Sequence, residues 1–171
     1  ILSWENENKN TISICFQVSN EGLAFKYILP KYSTSTDYIN QERTSYNFPQ
    51  AAKAWLQPMA IAKSGWEQTN PSYEEHYQNA IPVGTMESTK TGWVYPALFE
   101  TDGTWVLITE SGLDRNHSAT RLHYDSPEGE YTVAFPDTRE VIMDKNLYTI
   151  VANDFETPWR VIAMGDLKNI V

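Results

Sequence analysis

Cysteine is all but absent here: Cys15 stands alone in 171 residues, so no internal disulfide can form. A chain so poor in cysteine suits cytoplasm, periplasm or a bacterial surface equally. Long apolar runs are missing too, and nothing approaches the roughly 20 residues of a transmembrane helix. Basic residues are few. With 13 Lys and Arg against 22 Asp and Glu, the formal net charge is −9. That argues against nucleic acid as a partner, because such binding neutralises phosphates with Lys and Arg. It also argues against an anionic membrane surface. Neutral sugars, held by aromatics, amides and carboxylates, stay open. There is no Gly-rich phosphate loop and no Gly-x-Ser-x-Gly nucleophile elbow. No signal peptide or initiating Met is present, and Ile1-Leu2-Ser3-Trp4 reads as the interior of a longer protein. The missing targeting signal therefore says nothing about location.

Aromatic residues are abundant, with six Trp and ten Tyr. The stretch from Gly92 to Asn116 organises the chain. Trp93 to Phe99 and Trp105 to Thr109 read as strands, rich in aromatic and β-branched residues. Asp102-Gly103 between them accommodates positive φ and predicts a hairpin. Trp105-Val106-Leu107-Ile108 is apolar without alternation, which predicts a strand covered on both faces. That strand ends on a carboxylate, Glu110, followed by Ser111-Gly112.

Elsewhere the signals are again those of strands. Ile12, Ile14, Phe16 and Val18 alternate with Thr11, Ser13, Cys15 and Gln17, predicting a half-buried strand. Asn20-Glu21-Gly22 turns the chain, and residues 23–29 pair back until Pro30 stops the ladder. Residues 31–41 read as loop. Thr44 to Phe48 reads as a short strand, and Gln50 to Leu56 as helical turn or strand. Residues 57–91 lack sustained periodicity and form a long connection carrying Trp66, Tyr73 and Tyr77; connections of that length are often functional. Further strands are expected over 130–135, 140–143, 148–153 and 159–164. No helix of normal length is expected. The pattern predicts a single all-β domain, 1–171, built as a mostly antiparallel sandwich.

Candidate chemistry is sparse. Tyr73-Glu74-Glu75-His76-Tyr77 offers two carboxylates and a histidine, but adjacent residues point apart in a strand or loop, and the spacing is not that of a zinc helix. His117 and His123 have no cysteine or second motif near them, and no histidine stands in a recognisable context beside Ser111. Glu110 is different. A carboxylate at the end of a rigid strand can serve as a calcium ligand or as a paired structural acid, and calcium needs six to eight oxygens.

Several elements in order carry a resemblance. They are Gly22-Leu23-Ala24-Phe25-Lys26-Tyr27, Ser45-Tyr46-Asn47-Phe48-Pro49 with Ala54-Trp55, Tyr73-Glu74 with Tyr77, Ile108 to Leu113, and Thr157-Pro158-Trp159-Arg160-Val161-Ile162. Through nearly the whole chain they resemble the N-terminal domain of glycoside hydrolase family 97, α-glucosidases and α-galactosidases of the Bacteroides type. The resemblance implies a β-super-sandwich similar to galactose mutarotase-like domains, N-terminally truncated. It implies a following (β/α)8 barrel, not present in this chain, that carries the catalytic residues. It also implies calcium in the full-length enzyme, with Glu110 the position that looks like the N-terminal domain's metal ligand. No catalytic residue and no tightly bound calcium are expected of this chain alone. A periplasmic or secreted setting is implied, and a homodimer through exposed sandwich edges is expected of the open sheet. The alternatives are a carbohydrate-binding or adhesion sandwich that uses Trp66, Tyr73 and Tyr77, and a mutarotase-like enzyme, for which no convincing acid–base pair is in view.

Overall fold

Two hairpins and the strand that joins them make the frame of the molecule. The computed structural model describes residues 1–31, 37–61, 75–140, 148–151 and 153–170. The first hairpin is β2 (Thr11–Ser19) with β3 (Gly22–Leu29), in register from Ser13↔Ile28 to Ser19↔Gly22. The second is β8 (Trp93–Thr101) with β9 (Thr104–Ser111). Its turn has Asp102 at φ 50° and Gly103 at φ 79°, the positive pair that a two-residue hairpin demands. β14 (Trp159–Gly165) lies between them, antiparallel to both β3 and β9.

The sheet grows outward from this frame. β1 (Leu2–Glu5) adds to the edge of β2. On the other side β8 is shared by β6 (Lys53–Pro58), which carries β7 (Gln78–Pro82), and by β10 (Arg121–Leu122). β10 continues through β11 (Glu130–Ala134) to β5 (Ser45–Asn47). β13 (Phe155–Glu156) pairs with β3, while β4 (Asp37–Ile39) and β12 (Thr149–Val151) form a separate two-stranded sheet. A single helical turn, α1 (Leu167–Ile170), packs on β9 and β14.

Pro96 explains why β8 divides. Proline has no N–H for a ladder. The β8–β9 register stops at Ala97↔Ile108, and the β6–β8 pairing is irregular between Trp55 and Gln57. Beyond that point β8 turns toward β10, and β10, β11 and β5 fold back over the inner face of β6, β8 and β9. Phe48 stacks on Phe99 with centroids 4.0 Å apart, and Tyr131 meets Phe99 edge-on at 5.0 Å. Ala54, Leu56, Trp93, Ala97, Ile108 and Leu122 complete the buried centre.

Several sequence expectations change. Trp105 to Ile108 is fully covered on one face only. Val106 and Ile108 are buried, whereas Trp105 and Leu107 on the other face are half-buried. There Trp55 lies against Trp105 at 4.7 Å, and α1 adds partial cover. The loop expected over 31–41 contains β4, which takes its partner from 110 residues away in sequence, in β12. The expected strand at 140–143 begins at Glu140 in a 3-10 turn, and the rest of it lies outside the described residues. Most consequential is the inner face of β1 and β2. The Ile12–Val18 face of β2 is expected to be half-buried, yet Phe16 and Val18 are 41 and 74% exposed, and Trp4 beside them on β1 is 50% exposed. The folded-back layer of β10, β11 and β5 covers the other end of the sheet and stops short of them.

Candidate functional site

The register of β9 against β14 places Arg160 opposite Glu110. Both point inward, where the break at Pro96 has removed β8 as the neighbour of Glu110. The Arg160 side chain is 1% exposed, and the Glu42 and Glu110 side chains that flank it are 9% and 6% exposed. Its Nη1 donates to Glu110 Oε2 at 2.7 Å. Its Nε and Nη2 form a fork on Glu42, to Oε1 at 2.9 Å and Oε2 at 2.5 Å. Thr120 closes the other side of Glu110, its backbone N–H donating to Oε1 at 3.0 Å and its hydroxyl to Oε2 at 2.9 Å. On the Glu42 side a relay runs from the Tyr27 hydroxyl to Thr44 Oγ1 at 2.9 Å, and from there to Glu42 Oε1 at 2.7 Å.

This is a buried carboxylate–guanidinium–carboxylate cluster tying β9, β14, the segment before β5 and the segment before β10. Burial disfavours the charged guanidinium, but the hydrogen bonds and charge of Glu42, then Glu110, outweigh it and hold Arg160 above its ordinary value. Burial likewise raises the hydroxyls of Tyr46 and Tyr95, which face the same charges.

Glu110 was expected as a calcium ligand. Its surroundings offer a guanidinium, an amide N–H and a donating hydroxyl. Both lone pairs of Oε2 are engaged, and a calcium ion beside Arg160 would meet a like charge instead of the oxygen shell it needs. Among the described residues no three His, Cys, Asp or Glu side chains gather as a metal site. Within this chain these donors occupy Glu110, and an oxygen shell for calcium there would need ligands from outside the described residues.

A third buried acid, like Glu42, goes unread in the sequence. Glu87 is 1% exposed. Its Oε1 accepts from the Thr89 amide at 2.5 Å and the Thr89 hydroxyl at 2.7 Å, and its Oε2 from the amides of Thr91 at 2.8 Å and Gly92 at 3.3 Å. The Thr91 hydroxyl instead donates to the Met59 carbonyl at 2.7 Å. Burial works to raise the Glu87 carboxyl, yet the donated hydrogen bonds prevail and hold it below its ordinary value. Beside it Arg121 donates to the Thr91 carbonyl at 3.1 Å and to Glu140 Oε2 at 2.7 Å, fixing the start of β8 to the turn at 138–140. Glu87-Ser88-Thr89 followed by Thr91-Gly92 is the sequence trace of this clasp: an acid followed by hydroxyls and a glycine.

The other candidates do not converge. Glu75, His76 and Tyr77 lie on an exposed stretch, and Trp66, Tyr73 and Glu74 lie outside the described residues. His123 hydrogen-bonds within its own turn at Asp125. His117 bonds to Asp114 and Glu156. Neither buried cluster sets a nucleophile beside a base. Their charges engage one another, so the chemistry they perform is to fix loops and strand ends.

Comparison with known proteins finds relatives along nearly the whole chain. The chain is 32% identical over 154 residues to a protein described as a probable retaining alpha-galactosidase from Streptomyces bingchenggensis (strain BCW-1), a match that covers 90% of this chain and 20% of that protein. A crystal structure described as beta-arabinopyranosidase superposes with a TM-score of 0.87 at 34% identity, covering 96% of this chain and 26% of that one. The chain thus spans about a fifth to a quarter of these relatives. The family description Glycosyl-hydrolase 97 N-terminal matches residues 1–171, and the chain belongs to that family.

Proposed function

We propose that this chain is the accessory β-sandwich of a larger, calcium-dependent α-glycosidase, secreted or periplasmic, that hydrolyses α-galactosidic or α-glucosidic bonds. The family match along residues 1–171 carries the reading. Of the two substrates, α-galactosides have the support of the streptomycete relative's description. In this reading a (β/α)8 barrel further along the same polypeptide supplies the catalytic carboxylates, and the sandwich walls one side of the substrate cleft. The chain alone turns nothing over. Glycosidase assays on the longer polypeptide and on residues 1–171, each with p-nitrophenyl α-galactoside and α-glucoside, test this. Turnover is expected from the longer polypeptide only. Its absence there, or turnover by residues 1–171, overturns the proposal.

Calcium belongs to the whole enzyme in this reading. Arg160 and Thr120 on Glu110 favour an ion-pair role for that residue over a ligand role. In the longer polypeptide, Glu110→Gln is expected to lower the melting temperature while the chelator concentration that halves activity stays unchanged. A shift in that concentration would assign Glu110 to the metal.

A further inference from the structure

His117 lies outside the carboxylate–arginine clusters, and both of its ring nitrogens are engaged. Nδ1 accepts the Asp114 backbone N–H at 2.9 Å, and Nε2 lies 2.8 Å from the Glu156 carbonyl oxygen. A carbonyl only accepts, so Nε2 carries the proton. A backbone N–H only donates, so Nδ1 is bare. Two main-chain partners therefore dictate the neutral Nε2–H tautomer. The side chain is 9% exposed, and the ring meets Phe155 edge-on at 5.5 Å. It joins the loop after β9 to β13. Together with Phe155 and Thr157 it lines two cavities of about 360 Å³ each and stands as the wall between them.

We propose that His117 is an acid-sensitive latch: a proton added at Nδ1 breaks the bond from the Asp114 N–H, leaves the 114–117 turn to the His117 N–H on the Asp114 carbonyl at 3.1 Å, and so loosens the wall between the two cavities. The added proton and the Asp114 N–H would point at each other. The acceptor at hand is the Asp114 carboxylate, with Oδ1 3.2 Å from Nδ1. That oxygen already accepts the Asn116 N–H at 2.7 Å, and Asp114 is 57% exposed. Its second lone pair lets it take the imidazolium proton as well, while the Asp114 N–H loses its acceptor either way, so the turn exchanges one hydrogen bond for an ion pair. The other charged groups around the ring are committed elsewhere. Glu156 holds Lys26 of β3, Asp154 accepts the Lys31 N–H, and Arg160 across the cavity holds Glu42. Arg43 on the cavity wall brings a further positive charge.

Ring nitrogen-15 NMR of residues 1–171, combined with amide hydrogen exchange over the mildly acidic range in which imidazoles gain a proton, tests the latch. At neutral pH Nδ1 is expected to be pyridine-type and Nε2 pyrrole-type. On acidification Nδ1 should lose that character in step with an Asp114 amide protection that falls at least about tenfold beyond the intrinsic exchange trend. His117→Asn keeps an acceptor where Nδ1 lies and does not titrate, so Asp114 should stay protected at both pH values. A pyridine-type Nε2, an imidazolium already at neutral pH, or the same acid response in His117→Asn overturns the proposal. If His117→Asn fails to fold, the wild-type nitrogen titration still decides, because a latch requires the tautomer and the amide to change together.

Discussion

Arg160 is the residue on which the charge cluster depends. Replacing it with Ala would leave Glu42 and Glu110 buried side by side without a cation, and breaking such a pair costs about 3–5 kcal/mol. Arg160→Ala is expected to lose at least that much in urea unfolding, whereas Glu110→Gln, which keeps Glu42 paired, should lose less. Glu87 makes a pH-dependent contribution. Its carboxyl is held below its ordinary value of 4.5 in the fold. The stability it adds is therefore complete above the unfolded value and vanishes as pH falls through the lower folded one. Glu87→Gln should cost about 1–3 kcal/mol at neutral pH, where it loses charge-assisted bonds from three amides. It should also flatten the acid limb of unfolding midpoints measured from pH 7 down to 3. These two residues also mark what a sequence can disclose. Arg160 stands out as a charged residue inside an otherwise apolar strand, but its partners at 42 and 110 come from register and chain return. Glu87 sits in a stretch without periodicity, and the hydroxyls and glycine that follow it at 88–92 are its only local trace.

Strands show the same division. β2, β3, β8, β9, β11 and β14 have five to nine residues each, and alternation or aromatic content exposes them. β10 and β13 have two residues each, and β4 has three. Distant pairing makes these strands, and likewise β7 with five residues inside the 57–91 stretch read as a connection, whereas β5 and β12 show in the sequence at only three. One glycine locks two of the long elements together. Gly22 at φ 152° opens β3 against β14, where a Cβ would lie 2.1 Å from the Ile162 carbonyl oxygen. That oxygen belongs to the backbone of a paired strand and cannot move aside without parting β3 from β14. Gly22→Ala is therefore expected to destabilise by about 1–3 kcal/mol or more. Faster exchange should be confined to amides of β2, β3 and β14. Gly103→Ala, with nothing within 4 Å of the added carbon, should cost only the strain of its positive φ and leave those amides unchanged.

The molecule as a whole is well closed at one end and open at the other. Around Phe99 and Tyr131 two layers meet over buried aromatics, while Leu2, Trp4, Ile12, Phe16 and Val18 line one face of β1 and β2 in contact with solvent. Apolar patches of this kind on a free domain drive association. The net charge of −9 opposes it, because two copies repel at long range. Salt screens that repulsion within about 10 Å at 0.1 M and leaves apolar attraction in place. Residues 1–171 in isolation should therefore associate more strongly as sodium chloride rises, the reverse of an interface held by ion pairs. Light scattering across protein concentration at 0.05 and 0.5 M salt is expected to show a mass approaching that of a dimer at the higher salt. Trp4→Ser combined with Phe16→Ser and Val18→Thr should return it to a monomer without loss of the buried core, since none of the three touches the Phe99 cluster. A monomeric mass for the unaltered chain at both salts would mean that the open face is not sticky enough to overcome the charge, and the homodimer expectation would fall with it.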